Sequence, residues 1–238
     1  MSRRDELRLA VTFLTRVPVG RIDPLPDMGA ARWAFPLAGV LPGLAAWVAF
    51  AAVGGALGGA LAVLAAVLVT GGLHHDGLAD TADGLWSGRD RARMLEIMRD
   101  STVGSWGVLA LVLAVALPTL AMARAAPGLA AFLLIGVASR AAMLAVLQAL
   151  PPVRPDGLGR SAAGRGGLWP GLAVTAMLAV WTGAAALAAL AAMALTAMLL
   201  ARVARARIGG QTGDVLGAVQ VASEVAGWVT LATLAGSG

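Results

Sequence analysis

Three aspartates, Asp76, Asp80 and Asp83, fall within eight residues of the stretch "TGGLHHDGLADTADG", Thr70 to Gly84. In a helix, offsets of four and seven residues place all three on a narrow arc of one face. Stacked like charges repel one another, so such a face calls for a cation. Hard divalent ions take carboxylate oxygens, and magnesium commonly combines one or two carboxylates with substrate phosphates. The spacing therefore predicts a magnesium platform in which Asp76 and Asp80 hold one Mg2+ and Asp83 the same ion or a second. The competing reading is a solvated acidic turn, because Gly77 and Gly84 weaken a helix here. Zinc matches less well: the adjacent His74 and His75 do not share a helix face, and a third ligand is not evident. One histidine, assigned as His75, is expected to relay a proton or contact substrate, with an interfacial role lacking chemistry as the alternative.

Downstream, "SGRDRARMLEIMRDSTVGSWG" brings Arg89, Arg91, Arg93 and Arg99. A phosphate-rich substrate needs counter-charges of this kind, and arginine presents its donors in a geometry that fits phosphoryl oxygens. Asp90, Glu96 and Asp100 are their available partners. A second polar cluster, "GGQTGDVLGA", spans Gly209 to Ala218. There Thr212, Gly213 and Asp214 precede a helix whose amide-rich start can receive phosphate. An ordinary N-cap is the alternative. Arg140 and Glu224 sit inside otherwise apolar helices, where ionisable groups face a bundle interior or a cavity and point to function. A structural ion pair would also satisfy them.

The elements that must position these residues are membrane helices. The chain of 238 residues is 59% hydrophobic and only 13% charged, with a mean hydropathy of +0.82. Charge is absent from Trp33 to Val69, from Val103 to Met122 and from Leu168 to Ala201. Since a hydrocarbon core of about 30 Å needs roughly 20 helical residues, several of these runs can cross a bilayer. A soluble bundle would require polar stripes that the runs lack. The reading is an all-α polytopic integral membrane bundle, a single catalytic domain over residues 1–238, with about seven transmembrane helices (six to eight by different divisions).

The expected spans are Trp33–Val53, Leu57–Leu73, Ser105–Met122, Leu129–Leu150, two helices within 168–201 meeting near Thr182 and Gly183, and Val215–Leu234. "GGALGG" is the expected turn between the first two, and Pro36 and Pro42 predict a kink or late helix start in the first. The aspartate stretch and the piece after it carry too many charges to span and are expected at the interface.

All 18 basic residues are arginine, and 16 of them fall in four zones: 3–32, 89–99, 154–165 and 202–207. With the N-terminus inside, the four zones share the cytoplasmic side, as the positive-inside rule demands. This segregation argues against a nucleic-acid binder despite the pI near 11.5. There are no cysteines, so disulfide and thiolate-metal frameworks are excluded. Arg16 interrupts the N-terminal apolar region, so no cleaved signal is expected. Abundant small residues favour close helix contacts and are compatible with a homodimer.

"FLTRVPV" at 13–19, "FPLAGVLPG" at 35–43, the long segment 71–107 and "GQTGDVLGA" at 210–218 resemble, in the same order, the cobalamin synthase (adenosylcobinamide-GDP ribazoletransferase) family. That resemblance implies a magnesium-dependent enzyme of the inner membrane. The implied reaction joins adenosylcobinamide-GDP to alpha-ribazole, or alpha-ribazole 5'-phosphate, with release of GMP. Asp76, Asp80 and Asp83 match the family's acidic core and Asp214 its later motif. On that basis Arg89, Arg91 and Arg99 are expected to hold the diphosphate, and Asp83 or Asp214 to accept the nucleophile's proton. Arg140, Thr212, Gly213 and Glu224 are further candidate substrate contacts. Two other functions fit parts of the pattern. A membrane CDP-alcohol phosphotransferase also uses clustered aspartates, but its usual D-G-x2-A-R opening departs here, because Asp80 follows Ala79. A transporter would use Arg140 and Glu224 along its route.

Overall fold

The computed structural model describes residues 2–24, 27–87, 90–154, 160, 162, 164 and 166–235. Among them the secondary structure is helical apart from one isolated parallel bridge, Pro152 to Gln211. An N-terminal amphipathic helix, α1 (Arg3–Leu14), precedes a broken apolar run made of α2 (Met28–Ala31), a 3-10 turn (Arg32–Ala34), α3 (Phe35–Ala38) and α4 (Val40–Val53). Pro36 lies in the first turn of α3, where its missing N–H costs nothing, so the helix starts in steps as the prolines predict.

The turn expected over "GGALGG" is confined to Gly54 and Gly55, whose φ angles of 70° and 57° only glycine adopts without strain. Gly58 and Gly59 are already inside α5 (Gly55–Thr70). There Gly59 packs on the Thr119 backbone, leaving no room for a Cβ. After Gly71 and Gly72 the chain turns by 95° into α6 (Leu73–Ser87), the aspartate helix. The remaining elements are α7 (Arg91–Ile97), α8 (Ser105–Ala125), α9 (Leu129–Ala149), α10 (Leu168–Thr182), α11 (Ala185–Ile208) and α12 (Gly213–Ala235).

Among the described residues, five segments are long and apolar enough to cross a membrane: Met28–Val53, α8, α9, α11 and α12; the bent α5–α6 pair makes a sixth if counted as one span. The 168–201 block divides at Gly183 as expected, but α10 has 15 residues, about 22 Å, which is short of the hydrocarbon thickness. Against the seven expected spans, the described residues thus supply five, or six with the bent pair, and α10 as a shorter apolar helix.

Helices α9 and α12 are mostly buried and form the centre, whereas α8 and α11 turn most of their apolar surface outward. Leu57, Leu68, Met177, Val180 and Leu187 are each more than 60% exposed. A belt of that kind marks contact with lipid rather than water. The chain is a helical membrane protein.

Backbone proximity holds the centre together. A Cβ on Gly39 would collide with the Gly136 carbonyl of α9, and one on Gly43 would lie 2.7 Å from the Phe132 carbonyl. The Gly39-x3-Gly43 pair thus acts as a small-residue seam against α9. Gly39→Val is expected to lower unfolding free energy by about 1–3 kcal/mol, the range for overpacking, read from SDS-induced unfolding in mixed micelles.

Helix α1 is pinned across one end of the bundle. Glu6 accepts hydrogen bonds from Trp33 Nε1 at 2.6 Å and from Arg3 Nη1 at 2.9 Å. Leu9, Ala10 and Leu14 belong to the same buried cluster as Phe35. The Arg16 N–H donates to the Val69 carbonyl at 2.7 Å, closing the chain onto the end of α5.

Candidate active site

Two polar segments distant in sequence meet because α6 and α12 cross at glycines. A Cβ on Gly77 would stand 2.8 Å from the Asp214 carbonyl, and one on Gly217 would stand 3.1 Å from the His74 carbonyl. This approach brings Asp76 and Asp214 onto the wall of one pocket of about 310 Å3. A third segment joins through backbone pairing: the Val153 N–H donates to Gln211 and the Gln211 N–H to Pro151, both at 2.9 Å. Gly210 permits the pairing, since a Cβ there would collide with the Pro151 carbonyl. The pairing delivers Arg154, whose Nη1 meets Asp214 Oδ2 at 3.0 Å. Arg154 Nε and Nη2 are buried with no protein partner, which leaves donors at the pocket for phosphoryl oxygens. Arg160 and Gln211 also line the pocket.

Thr212 is both a helix cap and a pocket residue. Its Oγ1 accepts from the Val215 N–H at 3.3 Å and donates to Asp214 Oδ2 at 3.2 Å, while Thr212 and Gly213 lie on the pocket wall. The amide-rich start of the 23-residue α12 therefore faces the space beside Arg154.

The acidic side is short of positive charge. Burial, followed by the neighbouring Asp76 and Asp214 carboxylates, pushes Asp80 up to about 7, against the opposing pull of Arg154. Among the described residues, no three His, Cys, Asp or Glu side chains converge into a metal cage. Magnesium does not need one; two carboxylates completed by substrate phosphate suffice. Asp76 and Asp80 fit that description.

Asp83 departs from expectation. Its Oδ2 accepts from the Gly104 N–H at 2.7 Å and its Oδ1 from the Gly107 N–H at 2.9 Å, so the side chain, 5% exposed, caps α8. Helical spacing gave the right face, but seven residues separate Asp83 from Asp76 by about 10.5 Å along the axis, too far to share one ion. Asp83→Ala removes the partner of two N–H groups at the start of α8, that of Gly107 being buried. It is expected to cost about 2–3 kcal/mol of stability, while Asp83→Asn leaves the magnesium concentration for half-maximal activity unchanged.

Residues 6–232 match the family model described as Cobalamin-5-phosphate synthase. The chain belongs to that family. Curated relatives called adenosylcobinamide-GDP ribazoletransferase include those of Bradyrhizobium diazoefficiens, 43% identical over 92% of this chain and 90% of its own length. That of Azorhizobium caulinodans is 42% identical over 91% of each chain, and that of Brucella ovis 39% identical over 95% of each. No solved structure matches.

In this member of the cobalamin-5-phosphate synthase family, the remaining sequence candidates lie away from the pocket. His75 and Glu224 line a separate cavity of about 50 Å3 between the helices. Arg140, 2% exposed, pairs with Glu224 Oε1 at 3.0 Å and donates to the Gly136 carbonyl at 2.9 Å. Ser139 and Gln220 complete the network, Ser139 Oγ donating to Glu224 at 3.0 Å and Gln220 Nε2 to Ser139 at 3.2 Å. These residues join α9 to α12 instead of lining the pocket with Asp76. Arg140→Leu is expected to cost about 3–5 kcal/mol by stranding Glu224, and adding Glu224→Leu should recover part of it, as a double-mutant unfolding cycle would show.

Arg91 packs beside Gly209 outside the pocket, and Arg99 is exposed after α7. Arg89 lies outside the described residues. Asp90 caps α7 by accepting from the Arg93 N–H at 2.9 Å, and Glu96 pairs with Arg93 at 2.8 Å. Sequence reasoning did not select His74, Arg154, Arg160 or Gln211. The signal for Arg154 was its place two residues after Pro152, where the helix must stop.

Proposed function

We propose that this enzyme completes the nucleotide loop by joining adenosylcobinamide-GDP to alpha-ribazole or its 5'-phosphate, with release of GMP. The observation that carries the reading is the meeting of Asp76, Asp214 and Arg154 at one pocket, in a chain that matches the family over nearly its whole length. In the reaction a ribose oxygen bonds to the corrinoid-side phosphorus, and the bond from that phosphorus to the bridging oxygen breaks. GMP leaves with that oxygen, and the hydroxyl proton goes to a base.

Each residue has a role set by its surroundings. Asp76 and Asp80 would hold Mg2+, which when bound supplies charge neutralisation of the phosphoryl oxygens. Arg154 orients the diphosphate with its two buried donors, and Arg160 adds charge at the pocket. Asp214 accepts the proton from the ribose hydroxyl; of the two expected bases it is the one facing the pocket, since Asp83 is occupied at α8. The Asp214–Arg154 pair keeps that carboxylate aimed until substrate engages the guanidinium. The pocket is read as lying on the cytoplasmic face of the inner membrane, which the clustering of arginine in four zones supports. There a large amphipathic corrinoid rests at the interface with its phosphates inside.

The test is detergent-purified protein with magnesium and either adenosylcobinamide-GDP plus alpha-ribazole or a CDP-lipid plus an alcohol. The reading expects GMP and cobalamin in equal amounts and no CMP. CMP release, or substrate uptake into liposomes without turnover, would contradict it.

A further inference from the structure

The pocket has two unlike kinds of lining. Asp76, Asp214 and Arg154 supply its charged lining; Leu14, Phe35, Met143 and Leu147, which belong to one buried hydrophobic cluster, supply an apolar lining. Phe35 is 1% exposed and packs against Phe13 with ring centroids 5.5 Å apart, so packing fixes this wall. His74 also lines the pocket. It is 3% exposed, and both of its ring nitrogens are buried with no hydrogen-bond partner in the protein. Buried polar groups are normally paired, and an exception that borders a cavity points to a ligand atom. Size decides which substrate enters. About 310 Å3 is at the small end of the range for drug-sized ligands. A corrin ring with its side chains is several times larger than that, whereas a flat fused-ring base is not.

We propose that the apolar lining is the binding site for the acceptor's base. The fused aromatic ring of the ribazole lies against Phe35, Met143 and Leu147. His74 donates a hydrogen bond to the ring nitrogen that the sugar leaves free. His74 is then a specificity-determining residue for the nucleoside, and the corrin stays at the mouth with only its phosphates reaching Asp76 and Arg154. This inference rests on the ribazole-transfer reading above.

The experiment compares alpha-ribazole with its indole riboside analogue, which keeps the ring shape and lacks that nitrogen. Steady-state GMP release with saturating adenosylcobinamide-GDP is followed for the wild type, His74→Phe and His74→Gln, and acceptor binding is measured by calorimetry. A site built to bond the nitrogen rejects the analogue by about 100-fold or more in kcat/KM. His74→Phe should raise the KM for ribazole and erase that discrimination, leaving the KM for adenosylcobinamide-GDP within about twofold. His74→Gln, which keeps an N–H donor, should restore part of it. Undiminished discrimination in His74→Phe, or an effect confined to the KM of the corrinoid donor, would overturn the proposal while GMP release upheld the reaction. Wild-type binding of ribazole over its indole analogue without GMP release would instead overturn the reaction and uphold the base site.

Discussion

Asp76→Asn is expected to lower GMP release by about three orders of magnitude, with little change in the yield of folded protein. Asp76 is exposed on the pocket wall, so the fold does not depend on its carboxylate. Removing it halves the pair available to a divalent cation, in a site whose reaction concentrates negative charge on phosphoryl oxygens. Losing one oriented electrostatic contact of this type typically costs about 10²–10³ in kcat, and loss of cation occupancy adds to that. Asp80→Asn should fall in the same range and should also raise the magnesium concentration for half-maximal activity. Full turnover by Asp80→Asn with unchanged magnesium dependence would remove the acidic pair from the mechanism. The measurement is initial GMP release against magnesium concentration for both variants.

Arg154→Ala is the second large effect. Arg154 joins the Pro151–Val153 segment to α12 through Asp214 and presents two buried donors at the pocket. Truncation removes the phosphate contact and releases Asp214 from its partner, so kcat should fall by about 10²–10³. Arg154→Lys should recover only part of that loss, because an ammonium cannot hold Asp214 and also present a planar fork to phosphate. A kcat effect larger than the KM effect for adenosylcobinamide-GDP would show that the contact strengthens in the transition state. Equal activity of the Arg and Lys forms would reduce Arg154 to a charge.

Helix periodicity made much of this molecule readable from its residues. Uncharged runs marked the apolar helices, and Gly183 divided the last block. The four-residue offset of Asp76 and Asp80 puts both on α6, one turn apart. What periodicity could not supply was distance along the helix axis or the identity of the facing element. Asp83 shares an arc with Asp76 yet is claimed by the N-terminus of α8, which lies 21 residues away in sequence at Gly104. Arg140 and Glu224 looked functional because buried charge is rare; each turns out to be the other's partner across α9 and α12. Arg154 was overlooked because its role comes from a non-local backbone pairing with Gln211. His75 was preferred to His74 although adjacent helical residues point about 100° apart. Only the crossing of α6 with α12 determines which of them meets the pocket.

We propose that Asp76 and Asp80 of α6 hold the divalent cation, with Asp214 at the start of α12 beside it as the base. Replacing magnesium with Fe2+ in detergent-purified protein, adding ascorbate and peroxide, and mapping backbone cleavage by mass spectrometry tests it directly. Cuts clustered at residues 74–80 and 211–215, suppressed by excess magnesium and lost in Asp76→Asn, are the predicted result. Cuts centred on Arg140 and Glu224, or on the 91–99 segment, would contradict it.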